Sequence, residues 1–304
     1  MSDASRVLIL AGATASGKTR LAVELAREFD AEIVGADSRQ IYRGMPIGTA
    51  APLPEQLAAA PHHLIAFLDP RESYSAARFA SDAIEALDGI RARGKRAIVT
   101  GGTGFYIRAL IGGVALAAAY DERLRARLAR EAQVHPSEFL HGWLERRDAA
   151  RARVLATNDT YRVLRALEIV LAAPEARLRK APAPTLESEG FTWLLVFLDL
   201  PWSEIDARIT HRTERMLHAG LLEEAARIGE GSIAASAVGY PQAHAYLRGW
   251  STKAELRSLL ERATRRYARR QRAWFRAEPS TLWLAPESIR TAVREKLGWS
   301  SKRE

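Results

Sequence analysis

Cysteine is absent from all 304 residues. That excludes disulfides, a thiolate nucleophile and any thiolate zinc site, and it fits a protein of the reducing cytosol. No apolar run reaches the roughly 20 residues a membrane helix needs. The opening MSDASRVLIL has neither the basic start nor the small-residue cleavage site of a secretory signal. A cytoplasmic protein with no membrane partner is therefore expected. Internal repeats are missing, and so are low-complexity tracts apart from a short basic end at Lys302 and Arg303. Acidic residues are comparatively few: 36 Asp and Glu against 45 Lys and Arg leave a formal charge of +9. Excess Arg most often neutralises phosphate, which favours a polyanionic partner over a merely Arg-rich surface only weakly until the positions of the Arg residues are considered.

What is present alternates. Residues 7–10, 32–36, 64–67, 97–100 and 193–198 are short apolar runs that read as buried strands. Residues 19–29 and 75–93 read as the helices between them. From 121 to 173 the chain turns Arg/Ala/Leu-rich and helical, and 174–190, with Pro182 and Pro184, reads as a loop or boundary. Residues 205–277 are again mostly helical. The expected fold is α/β: a P-loop NTPase-like parallel sheet flanked by helices, with an inserted helical domain. Residues 1–120 and 190–304 would form the core and 121–189 the insert.

Gly12-Ala13-Thr14-Ala15-Ser16-Gly17-Lys18-Thr19 matches the G-x-x-x-x-G-K-[ST] pattern, with a strand before it and a helix after it. Glycines let successive N–H groups turn inward around an anion, and Lys18 adds a mobile charge. Thr19 can bind Mg²⁺, and the helix dipole favours negative charge. The cradle recognises a diphosphate with a metal; a nucleoside triphosphate is its commonest ligand. Gly101-Gly102-Thr103-Gly104 follows another strand, so Thr103 could face the same crevice, a plain structural turn being the other reading. Asp37 ends the second strand. There a carboxylate could hold a metal through water, accept a proton or cap a following helix. Gln40 has the bidentate amide that suits an adenine edge.

Read together, these motifs resemble the tRNA dimethylallyltransferases. The likeness runs through GATASGKT at 12–19, DSRQIY at 37–42, IGT at 47–49, HHL at 62–64, YSAA at 74–77 and GGTGFY at 101–106. It continues through Asn158, Asp159, Arg162, RALE at 165–168, Arg212, Met216, Gly220, Leu221, Gly239, Tyr240 and RRYARRQRAWFR at 265–276. Departures from the family pattern are Ala13 for Pro, Leu155-Ala156-Thr157 before Asn158, and Gln242 for Glu. The resemblance implies that the loop holds dimethylallyl diphosphate with Mg²⁺. The acceptor it implies is N6 of the adenosine 3′ to the anticodon, in the anticodon stem-loop of tRNA. It makes Asp37 the base. Lys18, Thr19 and Arg212 would stabilise the leaving diphosphate, and Thr103 would lie at the reacting centre. Ser38, Arg39 and Gln40 would hold the adenosine, while Arg125, Tyr161, Arg162, Val163, Leu164 and Arg165 would touch RNA. A monomer is expected.

Two further patterns bear on the partner. Arg265, Arg269, Arg272 and Arg276 recur at helical spacing as a cationic stripe, read as contacting phosphates rather than merely solvated, beside a stripe of Tyr267, Gln271 and Trp274 that could pack on the core. Arg123, Arg125, Arg127, Arg130, Arg146, Arg147, Arg151 and Arg153 repeat the signal in the insert. His62 and His63 lack a third ligand at metal spacing and read as structural. Asp199 reads as a strand-ending turn. An adenylate-accepting prenyltransferase, a P-loop kinase and a non-enzymatic RNA-binding module are the competing readings.

Overall fold

The computed structural model describes residues 3–112, 122–172 and 183–301. The expected helix start at Asp121, most of the Pro-containing loop and the basic end lie outside them. By contacts the chain divides into two compact units, Met1–Val114 with Pro184–Glu304, and Ala115–Ala183.

The first unit is built on β1 (Arg6–Gly12), α1 (Lys18–Phe29), β2 (Ala31–Gly35), α2 (Pro54–Ala59), β3 (His62–His63), α3 (Ala76–Ala92), β4 (Arg96–Gly101) and α4 (Gly104–Leu110). Six strands pair in the order β3-β2-β4-β1-β5-β6, all parallel, where β5 is Thr192–Leu198 and β6 is Leu282–Leu284. Val7 to Ala11, Ile33, Val34 and Ala97 to Val99 are at most 1% exposed, which is the continuous apolar run of strands covered on both faces. Because β2, β4 and β1 are neighbours, the loops that follow them open side by side along one sheet edge.

The third strand is not where the apolar run lies. His62 and His63 pair with Ile33 and Val34, whereas Leu64 (φ 58°) and Ala66 (φ 50°) take left-handed backbone. Their segment serves a loop instead: Ala66 and Phe67 N–H bond to Gln40 and Ile41 O. Both histidines are structural, His63 Nε2 meeting Glu32 Oε2 at 2.7 Å and His62 Nδ1 meeting Ala60 O at 2.8 Å. Beyond the helical stretch, the three-residue β6 and a terminal helix, Pro286–Leu297, complete the sheet edge.

The second unit holds α5 (Glu122–Val134), α6 (Ser137–Glu145), α7 (Ala149–Arg153) and α8 (Thr160–Leu171). Asp148 and Asp159 cap α7 and α8 by accepting the Arg151 and Arg162 N–H at 2.9 and 3.2 Å. Leu128, Leu140, Leu144, Ala152, Val163, Ala166 and Leu167 form its core. Truncating Leu140 or Leu144 to Ala would cost about 2–5 kcal/mol. In the first unit the Leu186 N–H bonds Leu110 O at 2.8 Å, so the chain before the insert and the chain after it meet. No described helix is long and apolar enough to cross a membrane.

Candidate active site

The loop at 12–19 begins where β1 ends. Gly17 has φ 89°, a left-handed value at the N-cap of α1 that suits glycine, and the first N–H groups of α1 then point into the loop. Gly12, Ala13, Thr14 and Ser16 are buried, Ala15 and Thr19 half-buried. Ser16 Oγ is buried without a partner in the protein, as an oxygen awaiting a ligand of the loop would be.

The helix after β5, α9 (Trp202–His218), lays two arginines along this loop one turn apart. Arg212 Nη1 donates to Thr14 Oγ1 at 3.0 Å, and Arg208 Nη1 donates to Ser16 O at 2.7 Å. Burial lowers Lys18 to about 8; the charge of Asp37 pulls it back up and Arg212 adds to the drop. Burial likewise lowers Arg212 to about 10, again opposed by Asp37. One carboxylate therefore faces both cations.

Asp37 is not a helix cap. No helix follows it, and its Oδ1 accepts the Arg39 N–H at 2.9 Å, closing a short turn. Thr103, after β4, takes the Ser38 N–H on its Oγ1 at 2.9 Å and donates to Ser38 Oγ at 3.3 Å. Its own N–H reaches Ala36 O at 3.3 Å, so the β2 and β4 loops are bonded to each other.

A cavity of about 220 Å³ opens beside these groups, lined by Thr14, Asp37, Ser38, Arg39 and Arg212 and, on an apolar wall, by Ile209, Met216, Leu221 and Leu260. Its far side comes from the loop at 236–239 and from the long helix α12 (Lys253–Arg276), through Thr264, Tyr267 and Arg270. Labels α10 and α11 belong to Leu221–Ile228 and Tyr240–Leu247. Burial, followed by the Asp37 charge, raises the Tyr267 phenol, which keeps it neutral.

Some expected residues do other work. Gln40 gives its amide hydrogens to Thr49 and Ala50 O at 3.1 and 2.9 Å, fixing the cavity-lining loop instead of offering them to a base. Arg125, Tyr161, Arg162, Val163, Leu164 and Arg165 all belong to the helical unit. There Val163 is wholly buried, so its side chain does not face outward to meet RNA, and Leu164 is half-buried against the same core. Tyr161 is 71% exposed, and Arg162 pairs loosely with Asp159 at 3.4 Å. Arg165 pairs with Glu168 at 2.8 Å. The stripe on α12 is partly consumed as well. Arg265 bonds Asp206 and Glu261, Arg272 pairs with Asp199 at 2.8 Å, and Arg269 and Arg276 lie over Trp202 and Trp283.

Arg208, Glu224, Tyr267 and Arg270 were not singled out from the sequence as site residues. Glu224, fully buried on α10, accepts the Ile47 and Gly48 N–H at 2.9 and 2.7 Å and the Tyr240 hydroxyl at 2.7 Å, which anchors the cavity-lining loop at 48–49. A signal existed for Arg208: it stands four residues before Arg212, on the same helix face.

A family model described as IPP transferase matches residues 40–278. A tRNA dimethylallyltransferase of Anaeromyxobacter sp. (strain K) is 44% identical over 286 residues, 92% of this chain and 93% of the relative. Another, tRNA dimethylallyltransferase 1 of Pelobacter propionicus, is 40% identical across 95% of this chain and 96% of its own. Among solved structures, the full-length tRNA isopentenylpyrophosphate transferase of Bacillus halodurans matches with a TM-score of 0.70 at 31% identity, over 97% of each chain.

Proposed function

The chain belongs to the IPP transferase family, and we propose that it transfers the dimethylallyl group of dimethylallyl diphosphate to N6 of the adenosine 3′ to the anticodon of tRNA. One observation carries the assignment of roles: Asp37 and Arg212 line one cavity that reaches the diphosphate loop through Thr14, whose hydroxyl Arg212 bonds.

The chemistry follows from charge. As the allylic C–O bond breaks, its electron pair goes to a diphosphate oxygen while the N6–C bond forms. Lys18, Arg212 and the first N–H groups of α1 face that growing negative charge already oriented, which is where fixed dipoles lower a barrier most. An adenine amine is a weak nucleophile. Asp37 would accept a hydrogen bond from it, aim its lone pair and take the proton that bond formation releases. The apolar wall of Ile209, Met216, Leu221 and Leu260 suits a five-carbon hydrocarbon and excludes water from the allylic carbon. A base buried this deeply must leave its stack.

The loop also fits Mg²⁺. Mg²⁺ takes about six oxygens and keeps several of its waters, so with a diphosphate as chelator Thr19 at the start of α1 would suffice as a direct protein ligand. When bound, the ion would supply further neutralisation of the departing diphosphate.

Label from dimethylallyl diphosphate should appear in unmodified tRNA, with Mg²⁺, and not in AMP. Label in AMP alone would make the acceptor a free nucleotide. Label in neither, with ATP consumed, would make the protein a kinase.

A further inference from the structure

Gln271 stands on α12, 5% exposed, and no step above employs it. Its amide is engaged at both ends. Oε1 accepts the Thr14 N–H at 2.8 Å, and Nε2 donates to Gly102 O at 2.9 Å. Those two backbone groups belong to different loops, one after β1 and one after β4, which no strand hydrogen bond ties together beyond Ala11 and Gly101. A continuous line of bonds results: Arg212 to Thr14, Thr14 to Gln271, Gln271 to Gly102, then through the adjacent Thr103 to Ser38, the neighbour of Asp37. The leaving-group side and the base side of the reaction are joined by one side chain. The fit is tight, since a methyl group at Gly102 would lie 2.0 Å from Gln271 Nε2.

We propose that Gln271 is a positioning residue, which sets the gap between the diphosphate loop and the Asp37–Thr103 pair and so the distance across which the new N–C bond forms. Only a side chain with an acceptor and a donor at this reach satisfies both loops. Methionine of similar length satisfies neither, leaving a buried N–H and a buried C=O unpaired. Glutamate, when ionised, accepts from Thr14 but turns a second anionic oxygen toward Gly102 O. When protonated it can donate there, as the amide does.

The proposal rests on the transferase reading, and its test separates the two. Gln271→Met, Gln271→Glu and Gly102→Ala are compared with the unaltered protein by thermal melting, by calorimetric affinity for inorganic pyrophosphate, and by transfer to tRNA from pH 6 to pH 8.5. Gln271→Met leaves both buried backbone groups unpaired. Gln271→Met should therefore lower kcat by roughly 10- to 100-fold and weaken pyrophosphate about fivefold, with KM for tRNA unchanged. Gly102→Ala, whose methyl displaces the amide without altering α12, should match it. The alanine should cost far less when added to Gln271→Met than when added to the unaltered protein.

Burial raises a carboxyl group's pKa. Relative to the unaltered protein at each pH, Gln271→Glu should thus be as poor as Gln271→Met at pH 8.5 and recover to within about threefold at pH 6. A merely space-filling residue would give no such recovery, so a flat ratio overturns the proposal. So does a folded Gln271→Met with unchanged kcat and pyrophosphate affinity. Should Gln271→Met not fold, Gln271→Glu and Gly102→Ala decide by the same criteria. If the unaltered protein transfers nothing to tRNA, the transferase reading fails, and the pyrophosphate affinities alone decide the role of Gln271.

Discussion

The two units put their arginines to different use. In the α/β unit the bonds that tie one site loop to another cross large spans of sequence, 65 residues between Ser38 and Thr103 and 257 between Thr14 and Gln271. The arginines around its site are tied inward: Arg208 and Arg212 to the loop at 12–19, Arg265 to Asp206 and Glu261, Arg272 to Asp199. In the helical unit the caps close within three residues, and Arg127, Arg130, Arg146, Arg147 and Arg151 are exposed; among the described residues none of these five takes an ion-pair partner. A formal charge of +9 conceals this division. Cations neutralised at home hold a catalytic geometry, whereas cations left facing water are available to an external polyanion.

The sharpest way to break this division is at Asp37. Asp37→Ala should lower kcat by about 100- to 10,000-fold, the range of a positioned base, and leave tRNA affinity in a filter-binding assay unchanged. Equal losses in both would mean that the α/β unit also supplies the binding. The next effect is one of pH. Lys18 must be protonated to neutralise the leaving oxygen, and burial has lowered it to about 8 in the free protein. Below that value the charge is present; above it kcat/KM for the prenyl donor should decline, approaching tenfold per pH unit. A profile level to pH 10 would remove Lys18 from that role.

Smaller changes sharpen the contrast from the other side. Replacing Arg146, Arg147 and Arg151 together by Ala should weaken tRNA binding and flatten its salt dependence by about one unit of slope per lost phosphate contact, with kcat at saturating tRNA unchanged. Arg272→Ala, which breaks an internal pair, should leave that slope where it was. A slope that responds to Arg272 and ignores the helical unit would reverse the comparison.

Strand period and motif context made much of the α/β unit legible. Four of the five apolar runs are strands, and the loop from Gly12 to Thr19 lies between β1 and α1 as its pattern requires. The exception, 64–67, is instructive: Phe67 packs against the apolar cluster around Ile41 and Tyr42, and left-handed backbone at Leu64 and Ala66 prevents pairing. Hydrophobicity reports burial, not backbone conformation. Gln271 was visible only as a member of a packing stripe, because its partners are backbone atoms of loops far away in sequence, and backbone atoms carry no residue signature. Val163 failed for the complementary reason. It sits within a run of residues whose neighbours face outward, and helix geometry turned it inward.

The contact between Leu110 and Leu186 has a consequence for how such a protein can change. Where outgoing and returning chain meet within one hydrogen bond, the scaffold acts as a socket: any segment whose two ends lie close together can be plugged in without disturbing the strands below. A short Gly/Ser bridge from Gly112 to Pro184 would leave the sheet's connectivity intact. A different module grafted at this point would leave the loops at the strand ends where they are.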